Sequence, residues 1–210
     1  MVASSKSAAP RPRDATATRA AILESARTAF AAKGYDGAGV REIAAGAGVT
    51  AMLVNRYFGS KEELFAEVVE QTMTSGSVIA GGILERPNPG RALAEAVVGM
   101  SRAGAEPAQG FLITFHSASS PVAADIGREQ IVAHHLKRVT EALAGRDTEQ
   151  RAALILAVIS GFQVMRQMLA LPPLAQGNED DLVDLLAGVF DTLIESGEQA
   201  ASGDPGSSPG

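Results

Sequence analysis

The chain has 210 residues, 46% of them hydrophobic and 20% charged, which is enough apolar material for a sizeable core and too much for a chain disordered throughout. It contains no cysteine, which excludes disulfide frameworks, thiolate zinc sites, iron–sulfur clusters and cysteine nucleophiles. The net charge of −6 is unevenly divided: residues 1–62 carry 9 Lys and Arg against 5 Asp and Glu, a net of +4, and the other 148 carry 9 against 19, a net of −10. A basic front suits a polyanionic partner, and an acidic rear implies a separate task.

Residues 1–15, rich in Ala, Ser, Pro and Arg, have no apolar run and read as a flexible basic tail without a secretory signal. Lys6, Arg11 and Arg13 on it suit either a DNA-touching arm or a solubilising tail. From Thr16 or Thr18 as cap, Ile22, Ala26, Ala29 and Phe30 recur at helical spacing until Lys33-Gly34 ends a first helix. A short second helix, Val40 to Ala47, places Ile43, Ala44 and Ala47 on one face, and Gly48 permits a left-handed turn. Thr50 caps a third helix, Ala51 to Tyr57, held inward by Val54 and Phe58. Ser60 and Glu63 form a Ser-x-x-Glu capping box for a fourth helix carrying Leu64, Phe65, Val68 and Val69. After a loop marked by Gly81-Gly82 and Pro87-Asn88-Pro89-Gly90, helices are expected near Arg91 to Arg102, Gln109 to Ala118, Val122 to Leu143, Thr148 to Leu169 and Asp180 to Glu198. The longest strongly apolar stretch, Ala152 to Phe162, is shorter than the roughly 20 residues that cross a bilayer. The spacing therefore predicts an all-α, cytoplasmic protein in four parts: a tail (1–15), a basic three-helix head (16–62), a larger helical domain (63–201), and a disordered polar tail (202–210).

Two short helices joined by a glycine-containing turn, the second capped by Thr50, form a helix-turn-helix. The run Val40-Arg41-Glu42-Ile43-Ala44-Ala45-Gly46-Ala47-Gly48-Val49-Thr50, followed by Val54-Asn55-Arg56-Tyr57-Phe58-Gly59-Ser60-Lys61-Glu62-Glu63-Leu64, resembles the DNA-binding domain of the TetR family of bacterial transcriptional regulators. The resemblance covers about residues 18 to 66. It implies a homodimeric repressor that binds a palindromic operator and is released by a small effector held in the rear domain. Two positions depart from the family pattern: Ala38 and Gly39 stand where Thr or Ser is usual, and Asn55 stands where many members carry Tyr.

Other readings of these residues fare less well. Gly46-x-Gly48-x-x-Ala51 fits a dinucleotide fingerprint, but Arg41 to Ala45 has one-sided helical spacing where that motif needs a buried strand. Neither Gly-x-Ser-x-Gly nor His-Glu-x-x-His occurs. No cofactor and no metal are expected. An all-helical carrier or enzyme with an incidental helix-turn-helix is the alternative function. The segregated positive charge speaks against it.

On the third helix, Thr50, Ala51, Met52, Leu53, Asn55 and Arg56 face outward, mixing methyl groups that suit thymine with donors that suit adenine and guanine. Tyr57, Lys61 and Arg41 suit phosphates or the groove edge. In the rear, Met100, Phe111, Phe115, Phe162 and Met165, with His116, Gln163 and Arg166, are expected to line an effector cavity for a largely apolar molecule. His116 reads first as a satisfied buried histidine and second as a cavity donor, and His134 and His135 read as surface residues. Ala152 to Met165 is apolar almost all round, and Leu182, Leu186, Val189, Phe190 and Leu193 form a wide stripe on the last helix. Pairing both helices with their symmetry mates gives a four-helix dimer interface; the alternative is one large monomeric core.

Overall fold

The computed structural model describes residues 15–74, 79, 81–102 and 109–195. Lys6, Arg11, Arg13, the polar run 202–210 and the final residues of the last expected helix lie outside them. The described residues form helices and turns with no strand, and no helix among them is long and apolar enough to cross a membrane.

The first helix, α1 (Ala15–Gly37), buries Ile22, Leu23, Ala26 and Phe30 along one face. Its regular path breaks at Gly34, which has φ +66°. A side chain there would also bring a Cβ within 2.3 Å of the His116 carbonyl oxygen, so glycine is required by conformation and by space. Helices α2 (Val40–Gly46) and α3 (Ala51–Phe58) enclose the helix-turn-helix angle, with Gly48 at φ +65° in the turn. The Thr50 hydroxyl accepts the Leu53 N–H at 3.3 Å, satisfying a donor that has no partner inside the helix. Gly39 caps α2 in extended backbone without a side-chain bond. Helix α4 (Lys61–Thr74) opens with the capping box: Ser60 N–H donates to Glu63 Oε2 at 3.1 Å, and Glu63 N–H donates to Ser60 Oγ at 3.0 Å.

Behind this head lie a 3-10 turn (Ile83–Glu85), α5 (Pro89–Met100), α6 (Gln109–Ser117) and α7 (Pro121–Ile131). Helix α7 continues through a π turn, Val132–Leu136, into α8 (Lys137–Ala142). Helix α9 (Thr148–Gln163) likewise runs into a π turn, Val164–Met168. A short α10 (Pro172–Ala175) leads to α11 (Glu179–Glu195). The helical periods locate each long run, but the π turns leave no mark in them.

Two apolar cores hold the molecule. The first joins Ile22, Phe30, Ile43, Val54 and Phe65 and extends to Ile113 of α6 and Ala123 of α7, so it crosses from the head into the rear helices. Phe30 and Phe65 meet edge to face with centroids 5.0 Å apart, a geometry worth about 0.5–1.5 kcal/mol beyond the area buried. The second core packs Leu93, Val97, Ile155, Leu186 and Phe190, with α5 lying along α11. Arg151 ties it at one end. Buried in α9, it donates to the carbonyls of Leu193 at 3.1 Å and Ile194 at 2.9 Å in the last turn of α11, and also to Arg146 and Ala144.

Candidate nucleic-acid interface and internal cavity

The capping bond at Thr50 and the burial of Val54 and Phe58 fix which side of α3 faces outward. On that side Met52 is 81% exposed, with Asn55 and Arg56 exposed beside it and Ala51, Leu53 and Tyr57 half-buried. Arg41 on α2 is exposed as well. Lys61 is less free: its ammonium lies 4.5 Å from the centroid of the Tyr35 ring. Burial and then the charges of Glu62 and Asp36 push the Tyr35 hydroxyl above its usual pKa, so the ring under Lys61 is neutral. Arg19 was not singled out by sequence reasoning. It bonds Glu67 on α4 at 2.5 Å with its guanidinium 4.9 Å from the Phe58 ring centroid, and so braces the end of α3.

A cavity of about 530 Å³ lies between the head and the rear helices. Its walls include Met100, Phe111 and Gln163, as the sequence indicates, together with Leu156, Ile159 and His135. They also include Arg27 of α1 and Gln71 of α4. The only sequence signal for Arg27 is its place at the edge of the apolar stripe of α1, next to Ala26 and four residues after Leu23. The other expected lining residues lie elsewhere. Helix α6 turns Phe115 away from the cavity: it is 43% exposed and stacks on Phe111 at 5.9 Å. His116 is neither buried nor a cavity donor. It is exposed, and its Nδ1 lies 2.7 Å from the Ala31 carbonyl, which can only accept, so Nδ1 carries the proton. Phe162 sits about 100° round the helix from Gln163 and is enclosed in the second core. Met165 points outward and is 43% exposed. Arg166 is buried, donating to the Val98 carbonyl at 2.9 Å and to Glu179 at 3.1 Å, so it ties α9 to α5 and α11.

His134 and His135 are both half-buried, and His135 lines the cavity rather than the outer surface. The π turn that holds them carries one extra residue, which rotates the side chains beyond it by about 100° relative to a continuous α-helix. Burial, then the nearby His134 and Arg138, holds the His135 imidazole below its usual pKa.

The expected stripe on α11 divides in two. Leu182, Leu186 and Phe190 turn into the chain's own core, with Phe190 fully enclosed. Leu193 is half-buried against the same core. The outward side is Leu185, 71% exposed, and Val189, with Gly188 between them. Helix α9 and the π turn after it also leave Leu154, Gly161 and Met165 exposed. A Cβ on Gly161 or Gly188 would meet nothing within 4 Å. An apolar stripe that runs round a helix shows that both sides are covered without showing which side the chain covers itself.

Residues 22–68 match the family described as bacterial regulatory proteins, tetR family, and residues 88–194 match the tetracyclin repressor-like C-terminal domain. The chain belongs to the TetR family. Over 61 residues the chain is 46% identical to the HTH-type transcriptional repressor SCO4008 of Streptomyces coelicolor; the alignment covers 29% of this chain and 32% of that protein, so the match spans about a third of the relative's length. Two solved structures are similar over most of their lengths. A putative transcriptional regulator from Pseudomonas aeruginosa PAO1 has a TM-score of 0.63 at 18% identity, covering 87% of this chain and 92% of the other. The regulator FadR from Bacillus subtilis, in complex with stearoyl-CoA, has 0.60 at 20%, covering 83% and 97%. These likenesses are of fold. The first family match takes in α2 and α3, which form the helix-turn-helix, and the second runs from α5 through α11. The departures at Gly39 and Asn55 sit at the cap of α2 and on the exposed face of α3.

Proposed function

We propose that the protein is a ligand-responsive repressor that binds a palindromic operator as a homodimer and leaves it when a small, largely apolar molecule fills the cavity. The observation that carries this reading is the pairing of an outward face on α3, Met52, Asn55 and Arg56, with a cavity that shares α1 and α4 with the head. Arg56 suits a guanine edge and Asn55 an adenine edge, Met52 and Leu53 suit thymine methyls, and Arg41, Tyr57 and Lys61 suit the backbone. The outward side of α9 and α11 supports an isologous four-helix interface, because an exposed apolar face with open glycines permits close approach by its own copy. Only a fixed pair of heads can hold two recognition helices about 34–36 Å apart, one turn of DNA.

The cavity supports induction because its walls belong to both halves. A ligand that binds the DNA-free arrangement 100-fold more tightly shifts the equilibrium by about 2.7 kcal/mol per site, a coupling ordinary for allosteric proteins. That a protein of similar fold, FadR, forms a complex with stearoyl-CoA, which has a long apolar chain, supports this reading. The test is a gel shift with the DNA that flanks the coding gene, at two salt concentrations, with an unrelated duplex as control. Specific retardation that falls with salt is expected. Equal retardation of both duplexes would remove the operator reading.

A further inference from the structure

Among the described lining residues Arg27 is the one with a permanent charge, and none is Asp or Glu. Its guanidinium is only partly matched. Nη1 donates to Glu24 Oε2 at 2.7 Å, on the outer side, where Glu24 is 63% exposed. Nη2 donates to the neutral amide oxygen of Gln71 at 3.2 Å. Nε is buried and has no acceptor. A desolvated N–H of a cation without a partner is costly, and the Nε–Nη2 edge is the side on which guanidinium takes a carboxylate through two parallel bonds. A single uncharged amide therefore stands where the geometry accommodates an oxyanion.

We infer that the cavity takes an apolar molecule carrying one carboxylate, and that Arg27, a residue of the head, binds that carboxylate along its Nε–Nη2 edge in place of the Gln71 amide. The inference rests on the reading of this cavity as the effector site. Met73, Ile79, Met100, Phe111, Leu156 and Ile159 supply the apolar walls for the rest of the molecule. The location of Arg27 gives the binding a direct route to DNA. Two residues earlier, the Ser25 hydroxyl donates to the Ile43 carbonyl of α2 at 2.8 Å, and a Cβ on Gly46 would fall 2.3 Å from the same hydroxyl. A pull on α1 at Arg27 is thus transmitted through this tight contact to α2, and through the turn at Gly48 to α3.

The test is calorimetric titration of the full chain with decanoate and 1-naphthoate, each beside the corresponding alcohol and amine. At least one acid is expected to bind ten or more times tighter than its alcohol and its amine. Arg27→Gln is expected to bring that acid down to the level of the alcohol while leaving the alcohol within twofold. Acid and alcohol binding equally, or an acid preference that survives in Arg27→Gln, overturns the inference and leaves the cavity as a ligand site. If none of the six compounds binds, the effector-site reading falls and takes the inference with it. A measurement on the unmutated protein guards against a variant that fails to fold: carboxyl-labelled decanoate, followed by carbon NMR, is expected to titrate at least one pH unit lower when bound than when free. A bound carboxyl that titrates at or above the free value also overturns the inference.

Discussion

Individual side chains on α3 carry separable duties, and this separation can be measured. Arg56→Ala is expected to cost about 1–3 kcal/mol on the cognate operator and little on random DNA, as read by fluorescence anisotropy. Lys61→Ala is expected to weaken both and to flatten the salt dependence, although part of that lysine's interaction is with the Tyr35 ring. An Arg56→Ala protein that keeps its full operator discrimination would place base reading elsewhere on the helix. Gly34 presents a residue-scale constraint of another kind. With φ +66° and the His116 carbonyl 2.3 Å from where a Cβ would stand, Gly34→Ala must push α1 away from α6. A loss of about 1–3 kcal/mol in denaturant unfolding is expected. An unchanged midpoint would mean that the two helices separate at little cost.

Among the elements, the head was the most legible in sequence, because its determinants are local. Thr50, Gly48 and the Ser60–Glu63 box act within three or four residues of themselves, so spacing alone reveals them. The rear helices were legible as helices but not as neighbours. The burial of Phe190 and the exposure of Leu185 depend on α5 lying against one side of α11, and nothing in the α11 sequence says which side that is. The cavity residue His135 was hidden in the same way, since it lies within the π turn Val132–Leu136, which the helical period does not reveal. That placement has a pH consequence. His135 titrates lower in the folded protein than in the unfolded chain, so the unfolded state binds more protons as pH falls below about 6.5. Stability is complete above that value and is lost progressively as pH drops through the lowered pKa. Urea midpoints measured at pH 7.5 and 5.5 are expected to fall further apart in the unmutated protein than in His135→Gln. Equal differences in the two proteins would exclude this histidine as a source of acid sensitivity.

At the scale of the whole molecule, the proposed dimer rests on the outward side of α9 and α11. Leu185→Asp or Val189→Asp is expected to place an unpaired carboxylate in that interface, giving monomers by light scattering at micromolar concentration and a loss of operator binding. Phe190→Ala is expected instead to lower stability by about 3–5 kcal/mol through a cavity in the core. Monomeric unmutated protein under the same conditions would refute the assembly. The cavity wall has a consequence for anyone who recombines such regulators. Arg27 and Gln71 line it from α1 and α4, and the first core continues to Ile113 and Ala123, so the border near residue 62 is not a clean seam for exchanging parts. A hybrid that took its first four helices from another regulator in order to address a new promoter would import that protein's α1 and α4 into the sensor chamber. Its dose response to the original inducer would change along with its DNA target. A biosensor built from this chain therefore needs its crossover drawn around the chamber, keeping Arg27 and Gln71 with the rear helices and exchanging only the outward residues of α3.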